Sequence, residues 1–166
     1  DGSTHYITLR ITHILGENAS EVGLAEDMTT TVLEQQRIEH ERDYDTLTGL
    51  YRRRAFDRAC EALFQQPEKL GCAALLMMDL DNLKQINDTY GHDWGDQYIR
   101  QTGQCFAANT PANTICSRLS GDEFLIFFYG YQDQAQLRAQ LELLSAALQR
   151  SVSILPNGKQ LHISIS

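Results

Sequence analysis

Seven apolar residues in unbroken succession, Cys72 to Met78, run directly into Asp79-Leu80-Asp81. A run of that length without a polar interruption reads as a strand buried on both faces, which requires a sheet with cover on each side. Upstream, Ala55, Phe56, Ala59, Leu63 and Phe64 recur at helical spacing over 52–65, as a core-facing helix would. Downstream come a helical stretch near 82–89, a glycine-punctuated loop at 91–96 and a helix through about 107. Strand-like runs at 114–119 and 124–129 flank Ser120-Gly121-Asp122-Glu123, a hairpin with an acidic tip. Leu137, Leu141, Leu144 and Leu148 mark a helix over 132–149, and 161–166 alternates as a strand. This order predicts an α/β sandwich with a central, mostly antiparallel sheet flanked by helices, its two acidic points on adjacent central strands.

The first part of the chain has a different pattern. Residues 5–14 alternate apolar and polar, Gly16-Glu17-Asn18 supplies a turn, and Glu21 to Ala25 forms a second short run. That is a hairpin without a partner sheet. Asp27 and Thr29 can cap a helix over 30–43, where Val32, Leu33 and Ile38 make a thin apolar seam among Glu, Gln and Arg. Such a helix serves as a solvated connector or as a short parallel coiled coil.

With 166 residues and a net charge of −8, the chain has room for one ordinary core and lacks the basic surface needed to grip a nucleic-acid backbone. No stretch has the apolar length of a membrane span, and Asp1 begins nothing like a secretory signal. Cys60, Cys72, Cys105 and Cys116 are too scattered for a zinc site and read as small buried residues in a reducing compartment, the cytoplasm. A longer parent could still be anchored elsewhere.

Two pairs of acids carry the chemical signal, Asp79 with Asp81 at a strand end and Asp122 with Glu123 at a hairpin tip. One reading is that each simply caps a strand end in water. The other is that clustered carboxylates await a cation, and hard oxygen donors suit Mg²⁺ completed by substrate phosphates. Lys84, Asn87, His92 and Asp96 follow closely, and Asn and Asp match the hydrogen-bonding edge of guanine. Together they outline a nucleotide site.

Three segments in order resemble the successive motifs of the GGDEF family of diguanylate cyclases. They are Asp45-Thr46-Leu47-Thr48-Gly49-Leu50, the long run from Asp79 to Asp96, and Arg118-Leu119-Ser120-Gly121-Asp122-Glu123-Phe124. The resemblance implies a sandwich like that of nucleotidyl cyclases and the polymerase palm. It implies that Asp79, Asp122 and the Leu80 carbonyl hold Mg²⁺, with Mn²⁺ as a substitute, and that Glu123 lies near the metal. Asn87 and Asp96 become guanine readers, His92 a substrate contact and Lys84 a cation near the phosphates. Asp122 also falls where a base for the attacking 3′-hydroxyl is proposed. The activity implied is condensation of two GTP into cyclic di-GMP across a homodimer, each subunit holding one nucleotide.

The implied organisation has three parts. Residues 1–29 resemble the last strands of a PAS sensor domain, 30–43 a signalling helix, and 44–166 a GGDEF domain whose C-terminal part, with a Lys and an Arg for the triphosphate, is expected beyond Ser166. Two departures stand out. Ser120 replaces the family's first glycine, where close backbone approach or a positive φ would favour Gly; a GTP-binding module without turnover is the alternative this raises. Pro111-Ala112-Asn113-Thr114 lacks the Arg and Asp of the family's product-inhibition site.

Overall fold

The computed structural model describes residues 4–14, 20–158 and 160–166. The turn expected at Gly16 to Asn18 lies outside these residues. The chain divides into two units, Asp1–Arg42 and Asp43–Ser166.

In the first unit, β1 (Ile7–Ile14) and β2 (Ser20–Asp27) pair antiparallel, with Ile7, Leu9 and Ile11 opposite Asp27, Ala25 and Gly23. Cross-strand partners share a face, so the three large apolar side chains line one side of the hairpin, where they are exposed. Helix α1 (Thr29–Asp43) starts where Asp27 Oδ1 accepts the Thr29 N–H at 2.9 Å. Thr29 does not cap as expected. Its Oγ1 instead accepts the Tyr6 N–H at 2.9 Å and ties the helix start to the hairpin. The apolar seam also fails to form a stripe, because Leu33 and Ile38 stand about 140° apart around the helix and no side chain of α1 is buried. Ion pairs from Arg37 to Glu34 and Glu41, one turn away on either side, support the helix locally.

The second unit is built on a three-stranded antiparallel sheet of β3 (Cys72–Asp79), β4 (Thr114–Ser120) and β5 (Glu123–Tyr131), in the order β3-β5-β4. From the central strand, Phe124, Ile126 and Phe128 enter a core shared with α3 (Leu83–Tyr90), α4 (His92–Asn109) and α5 (Gln134–Arg150). Leu125 and Phe127 enter a second core with Phe56 and Leu63 of α2 (Arg53–Phe64). All five strand residues are buried, and each contributes roughly 2 kcal/mol by leaving water. Asp133 caps α5 by accepting the Gln136 N–H at 2.9 Å.

Three expectations are corrected here. The strand buried on both faces is β5, not β3. Burial alternates along β3, with Leu75 60% and Met77 67% exposed while Leu76 and Met78 pack on the larger core. The reason is position: β3 is the outer strand, and α2 covers the sheet only over β4 and β5. Phe64 shares that open side and is 56% exposed at the end of α2, its ring 5.9 Å from that of Phe127. Second, the loop expected at 91–96 shrinks to a corner. Gly91 alone breaks the chain, with φ 90°, and α4 begins at His92. Third, the expected strand 161–166 is divided. Residues 160–162 form β7 against β6 (Val152–Ile154), and the segment after them crosses to the end of β3. There the Asp79 and Asp81 N–H groups donate to Ser166 and Ser164 carbonyls at 2.9 and 3.0 Å.

Candidate active site

The end of β3 and the start of β5 are brought level by their register. Asp79 lies opposite Glu123, and Glu123 lies opposite Ser120 of β4, so the three side chains stand abreast on one face of the sheet. Leu80, 1% exposed, donates its N–H to the Asp122 carbonyl at 2.9 Å and sews the β4–β5 turn to the end of β3. Partial desolvation, then the charges of Asp122, Glu123 and Asp81, raise the Asp79 pKa above the ordinary carboxylate value. Carboxylates that push one another toward protonation are the setting a cation relieves. Among the described residues no three His, Cys, Asp or Glu side chains enclose an ion by themselves. A metal here would complete its shell from phosphate and water, which fits Mg²⁺.

Asp81 has a different task from Asp79. Its carboxylate accepts the Ser164 hydroxyl at 2.6 Å and the Ser166 hydroxyl at 2.8 Å, and these bonds hold its pKa low. It therefore anchors the terminal segment beside the acidic row.

The turn at 120–123 is braced by Arg118 of β4, which is itself held by Asp45 from outside the sheet. Arg118 Nε and Nη2 donate to the Gly121 carbonyl at 3.0 and 2.8 Å, and Nη1 reaches both oxygens of Asp45 at 3.2 and 3.3 Å. Asp45 also accepts the Thr48 N–H at 2.9 Å and the Thr48 hydroxyl at 2.8 Å. Burial opposes ionisation of Asp45, but Thr48 and Arg118 outweigh it and hold the pKa below the usual value. Gly121 carries the positive φ of this turn, 44°, whereas Ser120 has an ordinary negative φ. The glycine-to-serine departure thus costs no backbone strain. Because the Arg118–Asp45 side chains are only 13% and 16% exposed, Arg118→Ala strands a carboxylate in a poorly solvated place. We expect a loss of about 3 kcal/mol, or roughly 10 °C in Tm, measurable by calorimetry at neutral pH. With Asp45 ionised only above its lowered pKa, the difference between variant and parent should shrink as pH falls through that value.

The remaining candidates lie at the α3–α4 corner. Asn82, the only non-glycine with positive φ among the described residues, at 66°, turns the chain from the end of β3 into α3. Lys84 is exposed on the first turn of α3 and has no ion-pair partner among the described residues. Asn87 is half-buried, and its Oδ1 is enclosed without a hydrogen-bond partner. It fits there because residue 95 is glycine: a Cβ on Gly95 would lie 1.9 Å from that oxygen. His92 and Asp96 are exposed on the first turns of α4, and no hydrogen bond or ion pair among the described residues ties either to the acidic row. The sequence thus pointed to Asp79, Leu80, Asp122 and Glu123 as a group, and the structure gathers them. It places Lys84, Asn87, His92 and Asp96 on the two helices that follow. What residue reading missed was the support: Arg118 on Asp45, Gly95 under Asn87, and Ser120 on Glu123, whose Oε2 accepts the serine hydroxyl at 3.1 Å. All of these lie inside the motifs; Arg118 and Asp45 are 73 positions apart, and neither the fit of Gly95 under Asn87 nor the bond of Ser120 to Glu123 shows in residue type or periodicity.

A family model described as diguanylate cyclase, GGDEF domain, matches residues 42–166. An uncharacterised membrane protein of Staphylococcus aureus strain USA300 is 34% identical over 132 residues, which is 78% of this chain and 36% of that protein. The chain therefore spans well under half the length of that curated relative. Among solved structures, the coiled coil and GGDEF domain of DgcB from Caulobacter crescentus, in complex with c-di-GMP, aligns with a TM-score of 0.69 at 23% identity, covering 82% of this chain and 73% of that one. A sensory box/GGDEF family protein from the same organism aligns with a TM-score of 0.61 at 29% identity, covering 75% and 80%.

Proposed function

The chain belongs to the GGDEF family of diguanylate cyclases, and from that footing we propose that it condenses two GTP into cyclic di-GMP and two pyrophosphates. The observation that carries this reading is the strand register that sets Asp79 opposite Glu123 with Asp122 in the adjoining turn, a crowding that adds to desolvation in raising the Asp79 pKa. A chain with no use for a cation would gain by dispersing them.

In this reading the Asp79 and Asp122 side chains and the Leu80 carbonyl hold Mg²⁺, with Glu123 beside them. The bound ion supplies charge neutralisation on the phosphates and lowers the pKa of the attacking hydroxyl. The protein's own part is placement. Asn87 and Asp96 read the guanine edge, His92 contacts the nucleotide, and Lys84, with no ion-pair partner among the described residues, faces the phosphates. Two domains meet as a homodimer so that each 3′-hydroxyl attacks the α-phosphate held by the other. Residues 1–29 act as the end of a PAS-like sensor and α1 transmits its state. Among the described residues no helix is long and apolar enough to cross a membrane. Since the curated relative is named a membrane protein, we place this domain on the cytoplasmic side of an anchored parent.

The test is incubation of the full-length protein with GTP and Mg²⁺, followed by chromatographic separation of products. Cyclic di-GMP that vanishes when Mg²⁺ is withheld is the expected result. GTP bound and returned unchanged would instead make the domain a regulatory nucleotide sensor. A second expectation concerns feedback. At Pro111 to Thr114 no Arg is present to fork onto a phosphate, and Asn113 is engaged with the backbone of Tyr129. Initial rates should stay flat across a dose series of cyclic di-GMP; tight inhibition would reveal a product site elsewhere.

A further inference from the structure

Ser120 stands beside Glu123 on the side away from Asp79, and its hydroxyl lies 3.1 Å from Glu123 Oε2. A carboxylate only accepts hydrogen bonds, so the serine is the donor. The backbone makes no demand for glycine at this position, because the positive φ of the turn falls on Gly121. The Gly121 carbonyl is in turn held by Arg118. The side chain at 120 is therefore spare to the turn and available to its neighbour. Glu123 needs such a neighbour. It has three rotatable side-chain bonds, and the charges of Asp79 and Asp122 repel it toward solvent.

We propose that Ser120 is a positioning residue for Glu123: its hydroxyl engages one carboxylate oxygen, holds the side chain against the repulsion of Asp79 and Asp122, and leaves the other oxygen for the cation. The proposal rests on the cyclase reading above. It gives the serine a role in place of the lost glycine. With the hydroxyl present, Glu123 is ordered before the metal arrives, and the binding step no longer has to order it.

The test is an electron paramagnetic resonance titration of Mn²⁺ into the full-length protein saturated with α,β-methylene-GTP, in which free Mn²⁺ gives the signal. Ser120→Ala and Ser120→Gly should each weaken Mn²⁺ binding by about fivefold, the size of one charge-assisted hydrogen bond at a solvent-facing site. Ser120→Thr, which keeps the hydroxyl, should restore it. Asp79→Ala is titrated alongside. If Asp79→Ala loses Mn²⁺ while the alanine and glycine variants at 120 bind it as tightly as the parent, the positioning role is overturned and the metal site stands. Equal weakening in the threonine variant would also overturn it, since bulk and not the hydroxyl would then matter. If Asp79→Ala binds as tightly as the parent, the metal reading falls and the proposal falls with it.

Discussion

Asp79→Asn is expected to reduce Mg²⁺-dependent conversion of GTP by about a thousandfold, the worth of several kcal/mol of charge stabilisation lost with a proposed metal ligand. The substitution keeps the shape of the side chain and removes only its charge. Its effect on the fold has the opposite sign. Because the Asp79 carboxyl holds its proton more tightly in the folded chain than in the unfolded one, ionising it costs stability as pH rises through its folded pKa. Asparagine never incurs it. Without metal, the variant should therefore melt at or above the temperature of the parent protein, and Mg²⁺ with nucleotide should raise the melting temperature of the parent only. Scanning calorimetry with and without ligand checks both statements. A variant that melts early would mean that Asp79 holds the fold together and that the loss of turnover is indirect.

Gly95→Ala should weaken GTP binding by about a hundredfold, through displacement of Asn87, the side chain proposed to read the base. The new methyl group would sit 1.9 Å from Asn87 Oδ1 and 2.9 Å from its Cγ, distances no relaxation of a bond angle can absorb. Either the amide swings out of its slot or α3 and α4 separate. Isothermal titration with GTP measures the loss, and ATP supplies the contrast, since a guanine reader displaced should narrow the preference between them. The double variant Gly95→Ala with Asn87→Ala separates the two consequences. If the glycine exists to make room for the amide, the double variant binds GTP no worse than Asn87→Ala alone, a strongly non-additive cycle. Simple additivity would show that Gly95 matters for helix packing independently of Asn87.

Local pattern carried the sequence reading a long way. Helical spacing marked α2 and α5, and the apolar run ending on Asp79 marked β3 and the position of the acidic group. Pattern failed where a residue's surroundings depend on its place in the sheet. Cys72 to Met78 and Phe124 to Tyr129 look equally apolar, yet only the second is central, and Leu75 and Met77 are left exposed by an order of strands that no window of sequence contains. The same holds for the corner at Gly91. Two glycines within five residues suggested a loop, but Gly95 is there for the space its missing side chain leaves, and the helix passes through it. The contact of Arg118 with Asp45 joins residues 73 positions apart; both lay in quoted motifs, and nothing local said that they touch. The candidate site was thus legible in its chemical groups and illegible in what holds them, because ligands announce themselves by type and supports only by distance.

The double-sided burial of β5 bears on motion. An amide in a strand with a partner on each side and packed side chains above and below exchanges with solvent only when much of the domain opens, whereas a short peripheral hairpin such as β6–β7 opens on its own. Asp122 and Glu123 are carried at the head of that slowest-opening strand. The acidic turn therefore leads into the most deeply buried strand of the sheet, while Lys84, His92 and Asp96 ride on exposed helix turns, with no hydrogen bond or ion pair among the described residues tying them to it.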